Sequence, residues 1–274
     1  NESFASWMGD KAVDHLFPEW DIWTQFLSAD TNRALALDGL RNSHPIEQTV
    51  DNPAEIRQLF DAISYSKGGS ILRMLENFLG ADAFRSGLRR YIFRHQYSNA
   101  RTVDLWNALE ETSGQPVAEL MSTWVGQTGY PVVHVSTKVD DETTHIDAIQ
   151  NRFLYDHLLD RDSKDKSLWQ IPLAAIGAGV AVHTTTLMTS RSTSLTLPGR
   201  PANEKDGWIK MNPDQTGFYR VNYAAKDWPR VLNAVSSIAV SARDRLGIQN
   251  DAYALSRAGY LPATQFLEVA SAYR

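Results

Sequence analysis

Cysteine is absent from the sequence. Disulfide frameworks, cysteine-rich zinc modules and thiol nucleophiles are therefore excluded. Long apolar runs are absent too. The longest, IPLAAIGAGVAV at 171–182, falls short of the roughly 20 residues that cross a bilayer as a helix. No signal peptide stands at the start. The lack of cysteine and of a signal favours the cytoplasm and leaves anchored or secreted forms open. Charge of one sign is nowhere concentrated. A formal net charge of −5 argues against nucleic-acid binding, whose footprint is basic and clustered. The nucleotide patterns G-x-G-x-x-G and the P-loop are missing, as is the serine elbow G-x-S-x-G. The seven histidines, at 15, 44, 95, 134, 145, 157 and 183, form no H-E-x-x-H and no i,i+4 helical pair, and read as surface or capping residues.

What is present is an ordinary globular composition, 43% hydrophobic and 22% charged over 274 residues, long enough for two or three domains. Residues 1–126 carry helical periodicity. Phe4, Trp7, Met8, Val13 and Leu16 follow it first, and the stretch from Glu19 to Leu40 continues it through Trp20, Trp23, Phe26 and Leu27. RNSHPIEQTVDNPAEI reads as a loop, closed by a helix start at Asp51 or Asn52 before Pro53. Gly80 is a C-cap candidate. At Tyr130 the texture changes to short β-branched runs spaced by turn signals, which predicts a β-sandwich. Strands are expected within 132–138, 170–176, 181–188, 208–211 and 217–222. Helical periodicity returns after Ala224, with Ser241 and Asp244 as a capping pair. The predicted fold is thus mixed α and β: a helical domain at 1–129, a β-sandwich at 130–223 and the start of a second helical domain at 224–274. The first residue is not Met and the last helical run carries no stop signal, so both ends read as cut.

Two stretches invite a chemical reading. Glu2 opens the first helix, where an ordinary solvated carboxylate would also be at home. SYSKGGSIL at 64–72 sets a tyrosine and a lysine at a helix start, with two glycines in the first turn. Each glycine costs about 1 kcal/mol relative to alanine in a helix, so close backbone approach is expected there. Tyr65 either aims its hydroxyl into a cleft or packs half-buried. Lys67 reads as a solvated or ion-paired residue without a chemical role.

NESFASWM at 1–8 resembles the NEGFAS stretch that follows the H-E-x-x-H helix of gluzincin zinc aminopeptidases, the family of aminopeptidase N and puromycin-sensitive aminopeptidase. FDAISYSKGGSILRML at 60–75 is similar to the FDxIxYxKGxxxLxML helix of that family. The likeness continues in SHPI at 43–46, TWVGQTGYPVV at 123–133, WQIPL at 169–173, QTGFYRVNY at 215–223 and DRLGIQNDAYALSRAG at 244–259. It runs the length of the chain in the family's order.

The resemblance implies a thermolysin-like catalytic domain whose rear part is 1–129, followed by the β-sandwich and the first helices of a C-terminal helical domain. It implies one Zn2+ in the complete enzyme, with Glu2 as its third protein ligand. The two histidine ligands, the general-base glutamate and the segment that holds the substrate's amino group are not in this sequence. They are expected in the rest of the same polypeptide, upstream. The implied activity is removal of N-terminal residues from peptides by zinc-activated water. Tyr65 would donate a hydrogen bond to the oxyanion that forms, a role a neutral phenol suits. Glycines 68 and 69 would let Tyr65's helix lie against the helix bearing the histidines. Asn1 would help orient Glu2. The isolated chain is expected to be inactive. The competing reading is a non-catalytic scaffold or interaction module.

Overall fold

The computed structural model describes residues 2–49, 52, 56–57, 59–139, 143–159, 165–178, 180–198 and 207–273. Helices come first: α1 (Glu2–Leu16), α2 (Ile22–Phe26), α3 (Asn32–Asp38), α4 (Gly68–Leu79), α5 (Ala81–His95), α6 (Thr102–Ser113) and α7 (Val117–Val125). Strands follow: β1 (Pro131–Val139), β2 (Thr143–Arg152), β3 (Ile171–Gly177), β4 (Val180–Met188), β5 (Ser192–Pro198), β6 (Ile209–Met211) and β7 (Arg220–Tyr223). Three further helices are α8 (Trp228–Ser236), α9 (Ala242–Ala258) and α10 (Ala263–Ser271). Each stretch expected to hold a strand contains one, although the last begins only at Arg220. Among the described residues, 130–223 holds no helix beyond the short 3-10 turns at His157–Leu159 and Pro213–Gln215.

The strands form a four-stranded sheet in the order β5-β2-β1-β7 and a three-stranded sheet in the order β4-β3-β6. β1 pairs antiparallel with β2 from Pro131↔Arg152 to Val139↔Thr144, and parallel with β7 from Val132↔Arg220 to Val135↔Tyr223. Alternation decides which face of β2 is covered. Thr144, Ile146, Ala148 and Gln150 are buried, while the residues between them are not, as the two-residue period of a strand demands. β3 lies in the middle of its sheet and is buried along nearly its whole length. Buried apolar side chains of both sheets and of the flanking helices merge into one core that runs from Trp7 to Val269.

One expectation is corrected. The stretch from Glu19 to Leu40 is not one helix. Asp21 adopts a left-handed conformation, φ 45°, and separates a 3-10 turn at Pro18–Trp20 from α2. Its carboxylate accepts hydrogen bonds from Thr24 Oγ1 at 2.6 Å and from Arg243 Nη2, on α9, at 3.0 Å. Tertiary contacts thus override the local period. From Ile22 the helix then runs on to Asp38, widened into a π-type turn at Leu27–Thr31. The helix start expected at 51–53 lies outside the described residues except for Asn52. At the other end of the chain, Ser241 does cap α9: its Oγ accepts the Asp244 N–H at 3.1 Å.

Lys67 is ion-paired, and it is not solvated. Its side chain and that of Asp38 are both fully buried, with Nζ 2.8 Å from Oδ2. The ammonium also donates to the carbonyls of Gly129 at 3.2 Å and Gln127 at 3.4 Å. Asp38 Oδ1 in turn accepts from Ser43 Oγ at 2.7 Å and from the Gly129 N–H at 2.9 Å. Gly129 stands at φ +89°, a conformation that side chains disfavour. Burial pulls the Lys67 ammonium below the ordinary lysine value, and Asp38 opposes that shift. The pair joins the end of α3, the start of α4 and the segment leading into β1. A second tie is Arg73, which donates to the carbonyls of Gln215 at 3.0 Å and Asp214 at 3.1 Å.

Removing one partner of a buried pair strands the other charge. Lys67→Met should therefore lower stability by roughly 3–5 kcal/mol, and the second change Asp38→Asn should recover part of that loss. Chemical unfolding of the two variants checks this. A loss for Lys67→Met below about 1 kcal/mol, the range of solvated pairs, would contradict it.

Candidate active site

Glu2 occupies the first turn of α1, where the N-terminal dipole favours a carboxylate. It is partly exposed and lines a cleft of about 890 Å³ together with Ser3, Glu47, Ser64, Tyr91 and Arg101. A second, more open cleft of about 690 Å³ shares Glu2, Glu47 and Ser64 and extends to Phe60. Glu2 thus stands where the two meet.

Tyr65 sits in a second wide π-type turn, Ile63–Lys67, immediately before α4. The Lys67 N–H reaches back five residues to the Ala62 carbonyl at 2.9 Å, while the Tyr65 N–H bonds the Asp61 carbonyl at 3.1 Å. Such turns inside helices are rare and occur often at functional sites. The Tyr65 ring is 37% exposed and lies 6.3 Å from the Phe60 ring. Its phenol makes no hydrogen bond to another described residue. Tyr65 itself lines neither cleft; its neighbour Ser64 lines both.

The two candidate residues are held together through their neighbours in sequence. Ser3 Oγ donates to the Ser64 carbonyl at 2.6 Å, which binds the first turn of α1 to the turn that carries Tyr65. Gly68 makes that approach possible. A Cβ there would lie 1.9 Å from Ser3 Oγ and 2.5 Å from Ser3 Cβ. The close approach expected of the glycines therefore exists, and among the described residues its partner at Gly68 is the helix of Glu2 itself. Gly69 faces the Phe26 ring at 3.3 Å.

Sequence reasoning missed two residues of this neighbourhood. Asp61 Oδ1 accepts the N–H groups of Ile63 at 2.8 Å and Ser64 at 3.1 Å. Asp61 Oδ2 lies 2.8 Å from His44 Nε2. An aspartate just before a helix is a recognisable capping residue, and it was the available signal for Asp61. His44, inside the SHPI stretch of the resemblance, read only as a surface or capping residue. Asn1 lies outside the described residues.

As a metal centre the neighbourhood is incomplete. No three histidine, cysteine or acidic side chains come together among the described residues. A catalytic zinc takes three protein ligands; Glu2, facing a cleft, fits one of those positions and no more.

Residues 1–124 match the peptidase family M1 domain, and residues 208–274 match the ERAP1-like C-terminal domain. Over its full length the chain is 42% identical to aminopeptidase M1 of Arabidopsis thaliana, covering 31% of that protein. It is 40% identical over 98% of its length to puromycin-sensitive aminopeptidase of Caenorhabditis elegans, covering 28% of it. It is 35% identical to alanine/arginine aminopeptidase of Saccharomyces cerevisiae, covering 30%. The chain belongs to the peptidase M1 family, a family of zinc-dependent metallopeptidases. It spans about three tenths of the length of these relatives. No helix among the described residues is long and apolar enough to cross a membrane.

The Gly68 contact yields a reciprocal test. Gly68→Ala should lower the melting temperature despite the gain in helix propensity of about 1 kcal/mol, because overpacking typically costs 1–3 kcal/mol. Adding Ser3→Gly removes both clashing atoms and should restore part of the loss, a coupling between contacting sites. Strict additivity of the two changes would contradict the packing.

Proposed function

We propose that the chain is part of a zinc-dependent aminopeptidase that removes N-terminal residues from peptides. Residues 1–129 would be the rear of a thermolysin-like catalytic domain, 130–223 a β-sandwich domain and 224–274 the beginning of a C-terminal helical domain. Glu2 would hold the metal together with ligands from the rest of the polypeptide, and Tyr65 would serve the substrate's carbonyl. One observation carries this reading: the Ser3–Ser64 hydrogen bond over Gly68, which ties Glu2's helix to Tyr65's turn beside a cleft.

The chemistry asks for this arrangement. A bound zinc supplies Lewis acidity to the carbonyl and to water. Glu2 lowers the net charge of the site and, mounted on a helix, presents its oxygens from a fixed direction. The Tyr65 phenol donates a hydrogen bond to the oxygen on which negative charge develops as the carbonyl carbon becomes tetrahedral. A donor aimed at developing charge acts mainly in the transition state. The turn at 63–67 is anchored on both sides, by Lys67 in the core and by Ser3 at the cleft, so the backbone that carries Tyr65 does not have to be ordered during the reaction. The isolated chain would show no turnover, since a single carboxylate holds zinc poorly.

The test uses the complete protein. Tyr65→Phe keeps the ring and removes the donor, so kcat should fall by on the order of 10²–10³-fold, with little change in KM or zinc content. Glu2→Ala should lose bound zinc together with activity. Wild-type kcat in Tyr65→Phe, or zinc loss in it, would overturn the role given to Tyr65. A complete protein without zinc-dependent release of N-terminal residues would favour the scaffold reading.

A further inference from the structure

The turn that carries Tyr65 is held from a third side, by a pair with no part in the roles proposed above. Asp61 precedes the turn, and all of its acceptors are committed to it or to His44. Its carbonyl takes the Tyr65 N–H at 3.1 Å. Its Oδ1 takes the N–H groups of Ile63 at 2.8 Å and Ser64 at 3.1 Å. Its Oδ2 accepts from His44 Nε2 at 2.8 Å. The other ring nitrogen of His44 lies 2.8 Å from the Pro45 carbonyl and 3.2 Å from the Gln48 side-chain nitrogen. Nε2–H is aimed at Asp61, while Nδ1 holds one partner at a time: in the neutral ring it accepts from the Gln48 amide, and in the protonated ring it donates to the Pro45 carbonyl. Ser64 closes the unit: its hydroxyl donates to the Leu59 carbonyl, and its own carbonyl accepts from Ser3, next to Glu2.

We infer that His44 and Asp61 are positioning residues that fix the Tyr65 phenol relative to Glu2. The inference rests on the aminopeptidase reading given above and names the device that makes it work. Ile63 and Ser64 open the helical segment, so their N–H groups have no partner within it, and the Asp61 carboxylate satisfies both. A free carboxylate could swing between rotamers. Its second oxygen, engaged by an oriented imidazole, locks it in the one that caps the turn.

The exposure of the pair separates this role from simple stabilisation. The His44 and Asp61 side chains are 26% and 28% exposed, unlike the fully buried Lys67 and Asp38. Partly solvated pairs contribute little to folding, so losing the imidazole should be felt at Tyr65 before it is felt in stability. A displacement of about 1 Å remote from the reacting atoms is enough for a rate loss of up to 10²-fold.

The experiment compares zinc-loaded complete proteins carrying His44→Ala, His44→Gln, Tyr65→Phe and the double change His44→Ala/Tyr65→Phe. His44→Ala should lower kcat by roughly 10–100-fold, while KM, zinc content and melting temperature stay near wild type. His44→Gln, whose amide can still donate to Asp61, should recover most of the loss. In the Tyr65→Phe background His44→Ala should cost little more, because the group it positions is already gone. Wild-type kcat in His44→Ala, or a full additional loss in the double variant, would overturn the inference and leave the role of Tyr65 standing. A wild-type protein without zinc-dependent aminopeptidase activity would overturn both.

Discussion

The contact between the Lys67 ammonium and the Asp38 carboxylate, 2.8 Å apart and closed off from water, is the constraint on which the rest of the structure depends. Two charges in such a place demand partners for every remaining donor and acceptor. Those partners are backbone groups at fixed positions: the carbonyls of Gln127 and Gly129 and the Gly129 N–H, with the Ser43 hydroxyl beside them. The pair therefore dictates how the helices meet the first strand of the larger sheet. It also pins the last residue of the Ile63–Lys67 turn, two positions after Tyr65. The same ammonium that joins helices to strands thus anchors the candidate site from behind.

Around that anchor the site is a matter of neighbours more than of long reach. Ser3 next to Glu2 bonds Ser64 next to Tyr65, and Gly68 leaves the room for it. Asp61 caps the turn from its open side. Groups aimed at developing charge are effective only if they need no reorganisation when the charge appears. Anchoring the turn from several directions meets that demand with ordinary hydrogen bonds. It also explains why a lysine without chemical work of its own stands two residues from the phenol.

Much of the architecture was legible in the sequence. The β-branched alternation after Tyr130 located strands such as β1 and β3 because local pattern and tertiary burial agree there. The break at Asp21 was not legible. Its carboxylate is held both by Thr24 and by Arg243, far along the chain, and no local window contains the second partner. The same separation hid the burial of Lys67, whose partner lies in another helix, and the pairing of His44 with Asp61. Gly68 and Gly69 did announce a close approach; that the partner at Gly68 is the helix of Glu2 required coordinates. The pairing of Glu2 with Tyr65 was suggested by resemblance and not by spacing, since a helical carboxylate and an exposed tyrosine are ordinary when seen alone.

Glu2 and Tyr65 are proposed to serve one reaction centre from one packed unit. The most direct measurement is a crystal structure of the complete protein with zinc and a peptide analogue that carries a tetrahedral phosphinate in place of the cleaved bond. A Glu2 carboxylate oxygen is expected at roughly 2.0–2.2 Å from the metal and the Tyr65 hydroxyl within roughly 2.6–3.2 Å of a phosphinate oxygen. Zinc bound without Glu2, or a Tyr65 phenol turned away from the phosphinate while Ser3 still bonds Ser64, would contradict it.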